Sequence, residues 1–144
     1  MTLDEIFGHW DQDSRIDSTK LGDESLNIPK LHNKYYRMLS NERMMLRKQE
    51  SELSELKNLK TDYYSGVLPY ETLKELSWEP FQLKLLKSDI SNKLHSDKHI
   101  IQKTLHISMQ VEKVDILIDI LKMIHTRNFQ IKNAIDYMKF TNGV

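Results

Sequence analysis

"VDILIDILKMI", residues 114–124, decides how this chain folds. Only Asp115, Asp119 and Lys122 are polar, and their spacing of four and three residues sets them on one narrow helical stripe. Every other side is aliphatic. A helix apolar around nearly its whole girth has to be surrounded. No stretch approaches the roughly 18 uninterrupted apolar residues of a membrane span, so other helices must surround it. A chain of 144 residues makes one domain with a modest core, and three or four helices cover such a helix poorly. Self-association is the economical solution, with Val111, Val114, Leu117, Ile118, Leu121 and Ile124 as its expected seam. Just beyond, "NFQIKNAIDYMKF" (128–140) carries Ile131, Ala134, Ile135 and Met138 at i, i+3, i+4 and i+7. That spacing predicts an amphipathic final helix closed by Asn142-Gly143, with Phe129, Ile131 and Ile135 adding to the seam.

Upstream, Ser96 is an expected N-cap for the long helix, from about 97 to 126, and Ser88 for a short one over 89–95. "LPYETLKELSW" (68–78) suits a short helix with Pro69 in its first turn, and the alternation in "EPFQLKLL" predicts an extended piece near 81–86. From Pro29 to Tyr64 there is no internal glycine or proline. Leu39, Leu46 and Leu53 recur every seven residues, beside a row of Tyr35, Leu56 and Tyr63 interrupted by Glu42 and Gln49. One long helix of about 50 Å follows, stopped by Gly66. "TLDE" (2–5) reads as a capping box for a short helix bearing Leu3, Ile6, Phe7 and Trp10, and the polar run to about residue 27 reads as a linker. The chain is therefore expected to be all-α. Its segments are an acidic N-terminal helix and linker (1–28), a basic long helix (29–66), short connecting helices (67–96) and C-terminal oligomerisation helices (97–144).

Composition removes several function classes. Cysteine is absent, which excludes disulfides and thiolate metal sites and favours a reducing, intracellular setting. The N-terminus has no signal-peptide pattern. The four glycines are too scattered for a phosphate-cradling loop, so neither an ATPase nor a nicotinamide enzyme is expected. His95 and His99 stand four apart, but a helix start between them and the lack of an HExxH arrangement leave them ordinary surface or interface histidines. No nucleophile–base or paired-carboxylate constellation can be singled out, and no cofactor is expected.

The charge distribution is more informative than its sum of zero. Residues 1–28 carry seven acids against two bases, and residues 29–60 carry eight bases against four acids. Such neighbours either serve separate partners or dock on each other. The basic segment ends in "LKNLKTDYYSG" (56–66), where Lys57, Lys60, Tyr63 and Tyr64 lie within about two helical turns. Single-strand binders combine backbone-tracking cations with rings on which bases stack. The bland alternative is a packed helix end, but adjacent helical positions diverge by about 100°, so at least one tyrosine is expected to stand free. Arg43, Arg47 and Lys48, further back on the helix, are secondary candidates.

"IDSTKL" (16–21), "DYYSG" (62–66), "LKSDI" (86–90) and "RNFQIKNAIDYMKF" (127–140) resemble, in order, the UvsY family of phage recombination mediators. The resemblance implies a non-enzymatic factor in the cytoplasm of the infected host, binding single-stranded DNA, a RecA-like recombinase and a single-strand-binding protein. It implies rings of six or seven subunits joined through the C-terminal region. The family's basic pair before "DYYSG" falls here on Asn58 and Lys60, with Lys57 beside the former. The reading from another class is a coiled-coil scaffold or protein-only adaptor whose basic helix serves solubility.

Overall fold

A computed structural model describes residues 1–81, 83 and 85–143. The helices among them are α1 (Leu3–Asp13), α2 (Leu21–Leu26), α3 (Ile28–Tyr64), α4 (Tyr70–Leu76), α5 (Lys87–Ser96), α6 (Lys98–His125) and α7 (Arg127–Thr141). The described residues contain no strand, as an all-α chain requires. The extended piece expected near 81–86 includes Gln82 and Lys84, which lie outside the described residues.

Local chemistry sets the helix ends. Thr2 Oγ1 accepts the Glu5 N–H at 3.1 Å and the Glu5 carboxylate accepts the Thr2 N–H at 2.6 Å, the expected capping box. Proline occupies the first turn of α3, where its missing N–H costs nothing. That helix stops in a Schellman motif: Gly66 N–H donates to the Tyr63 carbonyl and Val67 N–H to that of Asp62. Gly66 has φ +74°, a conformation open to glycine without strain.

Two expected caps are corrected. Ser88 lies inside α5, which starts after Leu86, and the Ser96 hydroxyl donates back to α5 carbonyls. Asp97 caps α6 instead, its Oδ1 accepting the N–H groups of His99 at 2.9 Å and Ile100 at 3.1 Å. A carboxylate beats a hydroxyl there because it also meets the positive end of the helix dipole. The expected linker is likewise partly helical, since residues 21–26 form α2.

The chain divides into two compact units, Met1–Met44 with Gln110–Val144, and Met45–Met109. The core of the first is built from Ile6, Leu21, Leu31, Tyr35, Leu39, Val114, Leu117, Ile120, Ile124 and Ile131. Tyr35 is wholly buried, edge-on to Trp10 at 5.5 Å, and its hydroxyl donates to Asp13 at 2.9 Å. Burial, that hydrogen bond and the Asp13 charge push the Tyr35 phenol well above its ordinary range. Asp13 also pairs with Lys34, and Arg127 donates to Glu24 Oε2 (3.2 Å) and to the Arg15 carbonyl (3.0 Å). Glu42, which interrupts the row of Tyr35, Leu56 and Tyr63, faces inward and takes a hydrogen bond from Gln110. Within this unit the acidic N-terminal region thus docks on the chain's own bases. In the second unit Leu73 and Ile100 are buried, and Lys103 pairs with Glu52.

The apolar girth of α6 is partly covered within the chain. Val114, Leu117, Ile124 and Ile131 are buried, Ile118, Leu121 and Ile135 are half-buried, and Val111 and Phe129 are exposed. α2, which the sequence hid inside a polar run, packs on α7. Leu117→Ala should therefore cost about 3 kcal/mol in urea unfolding, the value for a core cavity. The loss should be the same at low and high protein concentration; a loss that grew with concentration would make Leu117 an interface residue instead.

Candidate nucleic-acid interface

The end of α3 presents Lys60, Tyr63 and Tyr64 to one neighbourhood of the second unit. Ser77, with φ +58°, ends α4 in the same pattern that Gly66 gives α3: its N–H donates to the Lys74 carbonyl and Trp78 N–H to that of Leu73. The turn delivers Trp78 to the lysine. The Lys60 Nζ lies 4.0 Å from the Trp78 ring centroid and 5.5 Å from that of Tyr63. Around them the rings form a continuous cluster. Tyr63 meets Trp78 at 5.2 Å and Phe81 at 5.7 Å, Tyr64 meets Phe81 at 5.0 Å, and the two tyrosines are 5.1 Å apart.

Asp97 closes the arrangement. Its Oδ2 lies 3.0 Å from Lys60 Nζ and accepts the Tyr64 hydroxyl at 2.6 Å, while Oδ1 caps α6. The Lys60 and Asp97 side chains are only 5% and 4% exposed. Burial alone would push the Asp97 carboxyl up. The Tyr64 hydroxyl, the Lys60 ammonium and the Ile100 N–H outweigh it and hold the carboxyl below its ordinary range. Tyr64 is pushed the other way, well above the ordinary phenol range, by burial and by the bond to Asp97.

A cleft of about 530 Å³ opens over the cluster, lined by these aromatics together with Lys93, Lys98 and His99, and by Glu79. Lys93 and Lys98 are exposed, so their charges are available to a ligand. Lys57 is exposed too, beside a separate, mostly apolar recess of about 450 Å³ formed with Leu94, Ile100 and Ile101.

The sequence-predicted residues are thus distributed unevenly. Lys60, Tyr63 and Tyr64 are brought together, but Lys60 is buried and neither tyrosine stands free. Both rings are half-buried, and the Tyr63 hydroxyl donates to the Glu79 carbonyl at 2.6 Å. Arg43, Arg47 and Lys48 are exposed on α3. His95 and His99 do not converge: His95 Nδ1 is 2.7 Å from the Ser91 carbonyl, and His99 stacks on Trp78. Sequence reasoning missed Trp78, Lys93, Asp97 and Lys98. The one local signal was Asp97, an N-cap residue type standing next to the serine that was preferred.

The chain matches, over residues 9–144, the family model described as "Recombination, repair and ssDNA binding protein UvsY". The chain belongs to the UvsY family. Three crystal structures of the bacteriophage T4 recombination mediator protein UvsY share its fold. Lattice type II gives a TM-score of 0.82 at 24% identity, covering 99% of this chain and 98% of that one. Lattice type I gives 0.81 at 24%, covering 95% and 98%, and lattice type IV gives 0.80 at 23%, covering 98% and 99%. No curated protein matches the chain in sequence. Among the described residues no helix is long and apolar enough to cross a membrane.

For this UvsY-family chain the geometry separates the two lysines of the motif. Lys60→Ala should cost about 3–5 kcal/mol at neutral pH, because it strands a buried carboxylate. The sign with pH follows from Asp97, whose folded carboxyl is held below its unfolded value. The pair's contribution is complete above about pH 4, the unfolded carboxyl's value, and is lost as pH falls through the lower folded value. The stability gap between wild type and Lys60→Ala should hence be widest near neutrality and narrow below about pH 4 in denaturant titrations. A gap that widened on acidification would contradict the ion pair.

Proposed function

We propose that this protein is a recombination mediator without catalytic activity of its own. It binds single-stranded DNA without sequence specificity and loads a RecA-like recombinase onto strands covered by single-strand-binding protein. Family membership supports the mediator role, and the observation that carries DNA binding is the cleft. Four aromatic rings line an open surface with two exposed lysines at it, the pairing of rings and cations that sequence-tolerant strand binding uses. The residues proposed to contact the strand are Lys57, Lys60, Tyr63 and Tyr64, with Arg43, Arg47 and Lys48 as further cations, joined by Lys93 and Lys98. Lys60 acts within this set chiefly by holding the rings, its own charge being matched by Asp97.

Self-association belongs to the same proposal. Beyond Val111 and Phe129, the first unit leaves Tyr137 and Phe140 exposed, the latter at 82%. An oligomer, a hexamer or heptamer by family resemblance, would cover such residues. It would also multiply weak sites along one strand at high effective concentration. The half-buried Ile118, Leu121 and Ile135 would complete that interface, while Val114, Leu117, Ile124 and Ile131 would support it from within the chain.

Two experiments test this reading. Replacing Lys57, Lys93 and Lys98 together with Ala should leave the fold intact and weaken binding to labelled oligo-dT. At about 0.7 per phosphate contact, the slope of log K against log salt should flatten by about 2 per engaged subunit. Unchanged affinity and slope would remove these lysines from the interface. Phe129→Asp with Phe140→Asp should reduce the mass found by light scattering without changing helicity; a wild type that is monomeric at micromolar concentration would end the case for an oligomer. Recombinase loading is read by stimulation of strand exchange on protein-coated single strands.

A further inference from the structure

Trp78 differs from the other rings of the cleft. Tyr63 and Tyr64, half-buried like Trp78, have committed hydroxyls, whereas Trp78 meets an exposed partner, His99, at the cleft wall. The two rings are 5.8 Å apart and 18° from parallel, an offset stack and not a full overlap. A flat, nitrogen-containing aromatic on an exposed side chain is thus parked against an indole. The indole's other contacts are the Tyr63 ring and the Lys60 ammonium, the latter fixed in place by Asp97, which also holds the Tyr64 hydroxyl. Lys60 is locked by a buried ion pair, whereas the His99 ring has, among the described residues, a stack on Trp78 and no hydrogen bond.

We propose that Trp78 is the base-stacking platform of the cleft, and that a nucleobase takes the place of the His99 imidazole against it. The ligand is a single-stranded nucleotide of any sequence, since every base has a π-face. Its phosphates lie with Lys98 and Lys93, the exposed cations of the same cleft. The helix terminus of α6 does not take the phosphate, because Asp97 already occupies the N–H groups of His99 and Ile100. Ser77 keeps the platform in position: its left-handed turn and the Trp78 N–H bond to Leu73 fix the indole's backbone before any strand arrives.

This inference rests on the reading that the protein binds single-stranded DNA, and the test separates the two. In full-length protein carrying Trp10→Phe, Trp78 is the only indole, because the chain has two tryptophans. Titration with labelled oligo-dT should then change Trp78 emission with the same midpoint as the rise in oligonucleotide anisotropy. Trp78→Leu should weaken binding about 5- to 150-fold per engaged site while the salt slope stays as in wild type. Trp78→Phe should retain part of the affinity, which guards against a folding defect. His99→Ala should bind as well as wild type or tighter, since it removes only the occupant that a base displaces. Binding with silent Trp78 emission, or wild-type affinity in Trp78→Leu, would overturn the platform and leave DNA binding standing. Weaker binding by His99→Ala would overturn the exchange. Absence of any oligo-dT binding by the wild-type protein would overturn both readings together.

Discussion

The Asp97 carboxylate is the constraint on which the second unit depends. It takes four donors: the Lys60 ammonium, the Tyr64 hydroxyl and the first-turn N–H groups of His99 and Ile100 in α6. A buried carboxylate is tolerated only when its lone pairs are used, and here they are. The same contacts join the last turn of α3 to the first of α6 and set Lys60 where Trp78 and Tyr63 can lie over it. Helix packing, ring placement and the shape of the cleft are therefore consequences of one side chain. A buried pair of this kind contributes little net stability over an apolar replacement, so its value lies in fixing one geometry.

The first unit uses polar contacts in a similar way. Tyr35 and Lys34 share Asp13, Gln110 meets Glu42, and Arg127 reaches Glu24 and a backbone carbonyl. Each joins segments distant in sequence and supplies partners to groups that would otherwise be buried alone. The division of the chain into an acidic beginning and a basic middle is thus partly structural. Asp13 and Glu24 meet their counter-charges within the chain, and part of the acidic region folds as α1 and α2 instead of trailing as a tail.

Local signals made most of the fold legible. Thr2 with Glu5, Pro29, Gly66 and the four-residue rhythm of α7 each carry their own physical chemistry, and each marks an element the structure contains. The polar run around residues 21–26 was opaque because α2 is short and offers no periodicity to read. Its helicity rests on Leu21 and on packing against α7. At the site, the sequence showed which residue types gather at the end of α3 but not which are exposed. Lys60 and Lys57 look alike at three residues' separation, and only the distant Asp97 distinguishes them. Trp78 was silent for the same reason: its role depends on a left-handed serine and on a lysine 18 positions earlier, and neither relation repeats along the chain.

The internal neutralisation of Lys60 also bears on how a strand would first meet the protein. Screening at physiological ionic strength cuts off exposed charges beyond about 8 Å, and a lysine paired to a carboxylate within the fold projects still less field. With a formal net charge of zero, the chain has no far-reaching pull on a polyanion. Encounter would proceed at the ordinary rate of unassisted diffusion, and selectivity would arise only after touching, when scattered surface cations and flat rings engage together. Such a surface would hold a strand by slow departure, not fast capture.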